Sequence, residues 1–476
     1  MINHKDRVAE NKGMDSFFWF DYETFGLDVA RDRPVQFGGL RTNLELIPIE
    51  DPIRIFARPT EDYLPNPGSC LITGITPAVA LERGVPENQF IAQILREMSR
   101  AGTCNVGYNN LRFDDELTRH TLYRNLMDPF SREWRDGNSR WDLLNVVRAT
   151  RALRPEGLEW PLDSEGRPTL KLDLLTAANG ISHEHAHDAL SDVLATLALA
   201  KLVREKQPRL FAYLFELRRK ARVLELVGTG KYEPFLWIST RMSIDSLNLG
   251  MVVVVGRQPA NPNALIVYDL GFDPDRAMEE VSPDPGEGQF SPFSLLHINR
   301  APSVAPVSSL RMIDQQRLDF DLDKRQRNLR RLKQLSIRKA PGYEILSKPN
   351  IPETLPDIDL ALYAGGFASE RDRKLLEAFR QPESEGFLEI PNSFDNQGYR
   401  ELCRRYRARN YPERLSEDEK AEWRAFCELR HQGVGGFLSV EEYKSQICAL
   451  RGDPEMDAGR GGILDELDAY PAFLSG

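Results

Sequence analysis

Between residues 15 and 58 three apolar runs follow one another: SFFWFDY (16–22), PVQFGGLRT (34–42) and PIRIFAR (52–58). Aromatic and β-branched runs of this length predict strands, and the short turns between them predict antiparallel pairing of neighbours. The apolar period then lengthens. TPAVALERG (76–84) reads as a short helix with Thr76 as cap and Pro77 in its first turn. ENQFIAQILREM (87–98) places Phe90, Ile94, Leu95 and Met98 on one helical face. TCNVGYNN (103–110) reads as a strand and DDELTRHTLYRNL (114–126) as a helix. LKLDLLTAAN (170–179) is predicted to be a helix stopped by Gly180, and DALSDVLATLALAKLVREKQ (188–207) one stopped by Pro208. Strands first, then strands alternating with helices, predict a mixed α/β sheet with helices on its faces.

The pattern changes after the helical stretch RLFAYLFELRRKARVLELV (209–227). EPFLWIST, MVVVVG, NALIVYDL and SLLHINR are short strand-like runs separated by turn residues, predicting a small β-rich domain over roughly 225–305. A basic stretch follows, with Arg311, Arg317, Lys324, Arg325, Arg327, Arg330, Arg331 and Lys333 in close succession. From about 358 the pattern is helical, in ERDRKLLEAFR, YRELCRRYRARN and EDEKAEWRAFCELR. No internal repeat is visible.

With 476 residues the chain has room for two or three such domains. Its 41% hydrophobic and 28% charged residues fit a soluble globular protein. The opening MINHKDRVAENKG has no apolar signal-peptide core, and no apolar run is long enough to span a bilayer. The five cysteines form no CxxC pair, which fits a reducing cytoplasm and excludes a cysteine zinc site. A net charge of -10 gives no global sign of nucleic-acid binding, so a polyanion would have to be held by local patches or metal ions.

Three acidic elements are candidates for chemistry. The first strand ends on Asp21 and Glu23, two apart and therefore on one face, roughly 7 Å from each other. Strand-end carboxylates often simply face water, but the preceding FFWF buries this strand, and buried carboxylates are costly without compensation. The second element is GYNNLRFDDEL, where an Asn-rich turn leads into a helix beginning near Asp114. Acids in a first helical turn, here Asp114 and Asp115, ordinarily serve the helix dipole. The third is HEHAHDALSD, whose His183, His185 and His187 suit either a zinc site or a polar loop. Asp188 and Asp192 share a helical face at i, i+4; His187 can join Asp192 only from the loop before the helix.

Taken in order, FDYETFG, NNLRFDD and HAHDALSD resemble the three motifs of the DEDD exonuclease superfamily, histidine-containing branch. DYLPNPGSCLITGITP, NSRWDLL, RALRPEG, QPRLF and YRARNYP are further similar to the bacterial exonuclease I family. The resemblance implies an RNase H-like exonuclease domain over 1–208, an SH3-like β-rich domain with the basic stretch over 209–355, and a helical domain over 356–476. It implies Asp21, Glu23, Asp114 and Asp192 as ligands of two Mg²⁺ ions, with Mn²⁺ as a substitute, and His187 as general base. That assignment demotes Asp115, His183, His185 and Asp188, the last against the helical-face argument. Two carboxylates near 4 Å repel by ~4 kcal/mol at an effective dielectric of 20, and divalent cations between them reverse the sign.

The implied activity is 3′→5′ removal of 5′-mononucleotides from single-stranded DNA, in repair and recombination. The alternatives are an exoribonuclease of the same superfamily or a non-catalytic single-strand-binding protein. Expected substrate contacts are Glu23, Thr24, Phe25, Arg112, Trp141 and Lys171, with Phe113 and Arg140 beside them. The aromatic ones would stack on bases, worth ~1–3 kcal/mol each. The resemblance also implies a monomer, no membrane association, and docking of the acidic tail of single-stranded DNA-binding protein on Arg154, Tyr213, Arg311 and Arg317.

Overall fold

The computed structural model describes residues 15–183, 187–228, 232–279, 291–348, 357–364, 366–381, 387, 389–453 and 458–475. The first three strands form as the apolar runs predict: β1 (Ser16–Thr24), β2 (Pro34–Thr42) and β3 (Ile53–Phe56), antiparallel in sequence order. β4 (Thr103–Gly107) joins β1 on its other side in parallel, and β5 (Ser139–Asp142) joins β4 in parallel. The mixed sheet therefore runs β3-β2-β1-β4-β5, with β1 at its centre.

Alternation along β1 sorts its side chains between two cores. Phe17 and Trp19 pack with Val193 and Leu197 of the helix Ala189–Lys206, while Phe18, Phe20 and Tyr22 pack with Phe90, Ile94 and Leu117 on the opposite side. Asp21 and Glu23 continue the Phe17/Trp19 face beyond the apolar layer. The register sets Asp21 opposite Gly38 and Glu23 opposite Gln36. Gly38 has a reason to lack a side chain, because a Cβ there would lie 2.5 Å from the backbone at Ala189 and Leu190. That close approach seats the N-terminus of the helix Ala189–Lys206 beside Asp21.

Thr76 caps the helix Pro77–Arg83 as predicted, its hydroxyl accepting from the N–H of Val79. The 209–227 stretch departs from a single helix: it forms Pro208–Glu216 and Lys220–Val227, with a break at Leu217 that buries this residue in the core. The basic stretch likewise forms two helices, Met312–Arg317 and Leu322–Leu332.

β6 (Phe235–Ile238), β7 (Leu249–Arg257), β8 (Ala264–Asp269), β9 (Phe293–His297) and β10 (Ser303–Pro306) make a second, wholly antiparallel sheet in the order β10-β6-β7-β8-β9. The C-terminal region is helical, including Gly398–Asn410, Glu417–His431 and Val440–Arg451. It docks on the first domain through buried charge: Arg409 donates to Asp62 (2.7 Å) and to Asp359 (2.6 Å), and all three side chains are nearly inaccessible. Among the described residues no helix is long and apolar enough to cross a membrane.

Candidate active site

Five side chains from three elements meet at the C-terminal end of β1. Asp114 opens the helix Asp114–Arg124, and its carboxylate accepts from the backbone N–H of Tyr22, which ties it to β1. The turn before it is held from β5, where Asp142 accepts from the N–H of Asn109 (2.9 Å). Asn109 sits at a φ of 66°, a left-handed conformation that Asn tolerates. His187 also has a left-handed φ, 68°, and lies in the loop just before the helix cap Asp188. It thereby turns independently of the helix, and donor atoms of Glu23, His187 and Asp192 come within 4.8 Å of one another. His185 falls outside the described residues.

The neighbouring acids are engaged elsewhere. Asp115 is buried and accepts from Arg132 (2.5 Å) and Arg140 (3.2 Å). Burial would raise its pKa, but these two guanidinium groups outweigh that and hold it below the usual range. Asp188 accepts from Arg54 (2.6 Å) and from the Gln36 amide (3.0 Å), and caps its own helix at Ser191 (3.2 Å). Its helical-face advantage over His187 is therefore spent on structural bonds.

Among the described residues no arginine or lysine pairs with Asp21, Glu23 or Asp114, and Asp192 meets only a histidine, His183 (2.5 Å). Burial, then the charges of Asp114, Asp192, Glu23 and Asp188, raise Asp21 well above the carboxylate range. Burial, Asp192 and Asp114 push Glu23 up to about 8. Burial and Asp115 push Asp114 up to about 8. Asp192 is raised by burial even though His183 opposes the shift. A converging set of hard oxygen donors whose ionisation is opposed by burial and mutual repulsion fits divalent cations that take carboxylate ligands.

Comparison with known proteins agrees with this geometry. Family models match in three successive blocks: Exonuclease over residues 18–200, Exonuclease I SH3-like domain over 218–341 and Exonuclease I C-terminal domain over 356–474. The chain is 39% identical to exodeoxyribonuclease I of Haemophilus influenzae over 474 residues, covering 97% of this chain and 99% of that protein. This chain belongs to the exonuclease I family. The solved structure of a moderately thermophilic exonuclease I from Methylocaldum szegediense superposes with a TM-score of 0.90 at 44% identity, over 97% of this chain and 100% of that one. Escherichia coli exonuclease I in complex with a dA16 oligonucleotide superposes at 0.88 and 36% identity, over 97% and 100%. Exonuclease I architecture, RNase H-like, then SH3-like, then helical, is thus the fold of this chain.

Within that exonuclease I frame, several expected substrate contacts are corrected. Phe25 is fully buried, packed with Val35 and Tyr63. Trp141 is buried against Phe17, Phe211 and Phe215. Neither presents a face to a base, because a large aromatic ring gains more from core burial than from display. Arg140 is not free for phosphate either, since it pairs with Asp115 and with Glu133 (3.0 Å). Thr24 is buried, its hydroxyl donating to the carbonyl of Gly26 (2.6 Å). Arg112 and Lys171 are exposed, and Phe113 is half-buried.

The structure instead displays aromatics that the motifs did not single out: Trp134 at 65% exposure and Phe367 at 86%. Trp134 lies in the polar segment SREWRDGNS, where an aromatic serves no apolar period; that was the available signal. Trp134 borders a cavity of about 730 Å³ that is also lined by Ser16, Arg140, Arg218, Lys220 and Asn263. The cavity reaches the start of β1, five residues and roughly 17 Å from Asp21.

Arg154, Arg311 and Arg317 do converge, around the buried Asp314 (3.5, 2.7 and 3.3 Å). Arg154 also donates to the carbonyl of Ser309 (3.0 Å) and Arg317 to that of Ala152 (2.6 Å). The hydroxyl of Tyr213 donates to the carbonyl of Val304 (2.9 Å), leaving a partly buried ring. Met312 and Ile313 are exposed beside Arg311.

Proposed function

We propose that this chain removes 5′-mononucleotides from the 3′ end of single-stranded DNA by hydrolysis, using Asp21, Glu23, Asp114 and Asp192 as ligands of Mg²⁺ and His187 as general base. The observation that carries this reading is the meeting of Glu23, His187 and Asp192 donors within 4.8 Å, in a field that also includes Asp21 and Asp114. Divalent cations bound there supply positive charge to the scissile phosphate and acidify water. The chain itself does the rest. His187, exposed at the mouth of the site, takes the proton from the attacking water. The bond to the 3′-oxygen of the preceding nucleotide breaks, releasing a 5′-mononucleotide and a strand one residue shorter with a new 3′-hydroxyl. The loop turn at His187 and the cap at Asp188 hold the base against Glu23 without adding another free carboxylate.

Single-strand DNA is the substrate this surface suits. Exposed Trp134 and Phe367 can stack on unpaired bases, and Arg112, Lys171 and the basic cavity wall can accompany the backbone. The oligonucleotide complex of the E. coli relative supports DNA over RNA. We read the domain boundaries as falling near 208 and 355, and the setting as cytoplasmic repair and recombination by a monomer. A solved SSB/exonuclease I complex with an inhibitor supports single-stranded DNA-binding protein as the partner, and the surface we assign to its acidic tail is that of Arg154, Tyr213, Arg311 and Arg317. There a terminal carboxylate would meet guanidinium forks and its apolar end the exposed Met312 and Ile313.

Digestion of single strands labelled at the 3′ or the 5′ end, with and without Mg²⁺, tests the reading. It expects immediate loss of the 3′ label only, dependent on the metal, and much slower digestion of matched RNA. Preferential attack on the RNA would move the chain to the exoribonucleases, and binding without cleavage would make it a single-strand-binding protein.

A further inference from the structure

Glu116 lies two residues past Asp114 on the helix Asp114–Arg124, so its side chain leaves the helix on a different face from the acidic centre. Three donors from three domains reach its carboxylate. Arg119, one turn along the same helix, donates to Oε1 (2.7 Å). Arg300, just after β9 in the SH3-like domain, donates to the same oxygen (3.2 Å). Tyr363, at the end of the segment Ile358–Tyr363 of the helical domain, donates its hydroxyl to Oε2. The hydroxyl of Tyr363 also accepts from Arg119 (3.0 Å), and Arg119 is itself anchored on Glu133 (2.7 and 2.8 Å). The carboxylate is mostly buried while Arg300 is half exposed.

We propose that Glu116 is a latch that joins the SH3-like and helical domains over the helix bearing Asp114, and that it sets how long a single strand stays bound. The inference rests on the exonuclease reading above. It does not give Glu116 a part in bond breaking: the residue acts through Arg300 and Tyr363. A charge-assisted bond from each appended domain to one fixed carboxylate is an arrangement that opens when that carboxylate is removed and loosens when one donor is lost.

The test separates dwell from chemistry. Full-length protein is loaded with a 5′-labelled single strand in EDTA and chased with excess unlabelled strand to read dissociation. Mg²⁺ added together with the chase then reads the number of nucleotides removed per encounter. Arg300→Ala is expected to speed dissociation about 2–5-fold, the range of a partly exposed ion pair, and to shorten the tract removed in proportion. Its first-nucleotide rate under single-turnover saturation should be that of the wild type, and Arg300→Lys should restore most of the dwell. Glu116→Ala should speed dissociation at least ~10-fold, and Glu116→Ala combined with Arg300→Ala should be no worse than Glu116→Ala alone. Unchanged dissociation in Arg300→Ala, or strictly additive losses in the double variant, overturns the latch. Should Glu116→Ala not fold, the Arg300→Ala and Arg300→Lys pair still decides. A wild-type protein that releases no nucleotide from the 3′ end would instead defeat the exonuclease reading on which the latch depends.

Discussion

The imidazole Nε2 of His183 lies 2.5 Å from Oδ1 of Asp192, and its Nδ1 lies 3.4 Å from the hydroxyl of Thr176. The motif pattern had set His183 aside, yet its side chain touches an acid of the site. Held on both ring nitrogens, it fixes the orientation of Asp192. His183→Ala is therefore expected to weaken Mg²⁺ or Mn²⁺ affinity by ~10–100-fold, the usual effect of losing a partner that orients a ligand. Calorimetric titration of metal into the DNA-free protein measures this directly; an unchanged affinity would make the contact incidental.

His187 should behave differently. His187→Ala is expected to slow cleavage at saturating metal by ~10²–10⁴, with metal affinity reduced far less than by His183→Ala. Equal losses of both quantities in the two variants would show that the loop works as one unit and that neither histidine is the base.

Asp21→Asn should abolish cleavage while leaving single-strand binding intact, because it removes a ligand without touching the exposed aromatics. Gel-shift and cleavage assays on the same preparation report the two properties. Turnover near the wild-type level would end the assignment of Asp21 as a metal ligand.

The raised carboxyl groups predict a pH dependence with a definite sign. Glu23 moves from an ordinary 4.5 to about 8, and Asp114 from 3.8 to about 8. Between those limits the folded, metal-free protein holds protons that the unfolded chain has released, so its stability falls as pH rises from about 4 to about 8. Cations that neutralise the cluster remove this penalty. The unfolding midpoint gained on adding Mg²⁺ should therefore be small at pH 5 and larger at pH 8; thermal melts at both pH values, with and without the metal, check it.

Arg409 bridges Asp62 of the first domain and Asp359 of the helical domain with a side chain almost unexposed to water. Arg409→Ala would leave Asp62 with Arg33 and Asp359 with Arg405 and Arg430, and is expected to cost up to ~3–5 kcal/mol, the range for a broken buried pair. Urea denaturation followed by tryptophan fluorescence should show the loss, with the helical domain releasing first. A loss below ~1 kcal/mol would mean that Arg33, Arg405 and Arg430 suffice to hold the two acids.

Much of this architecture was legible in the chain because its signals are local. The period-2 alternation of Phe17 to Glu23 put both carboxylates on one strand face, and the Thr76–Pro77 cap and the stops at Gly180 and Pro208 marked helix ends within a residue or two. The loop position of His187 followed from simple helical geometry. These depend on backbone dihedrals and on neighbours within one turn or one pleat, which sequence spacing states outright.

Partner choice is not local, and there only the tertiary structure decided. Nothing near Asp188 in the chain announces that Arg54 and Gln36 will occupy it, nor that Asp115 will be taken by Arg132 and Arg140 while Asp114 is left to the cluster. Phe25 and Trp141 adjoin the motifs as stacking residues would, but core space closed over them, while Trp134 and Phe367 are among the rings left exposed. Gly38 and Ala189 are distant in sequence, yet their close approach seats Asp192 beside Asp21. An ion pair or a packed ring is settled by which groups the folded chain brings within a few ångströms, and that is a property of the whole fold.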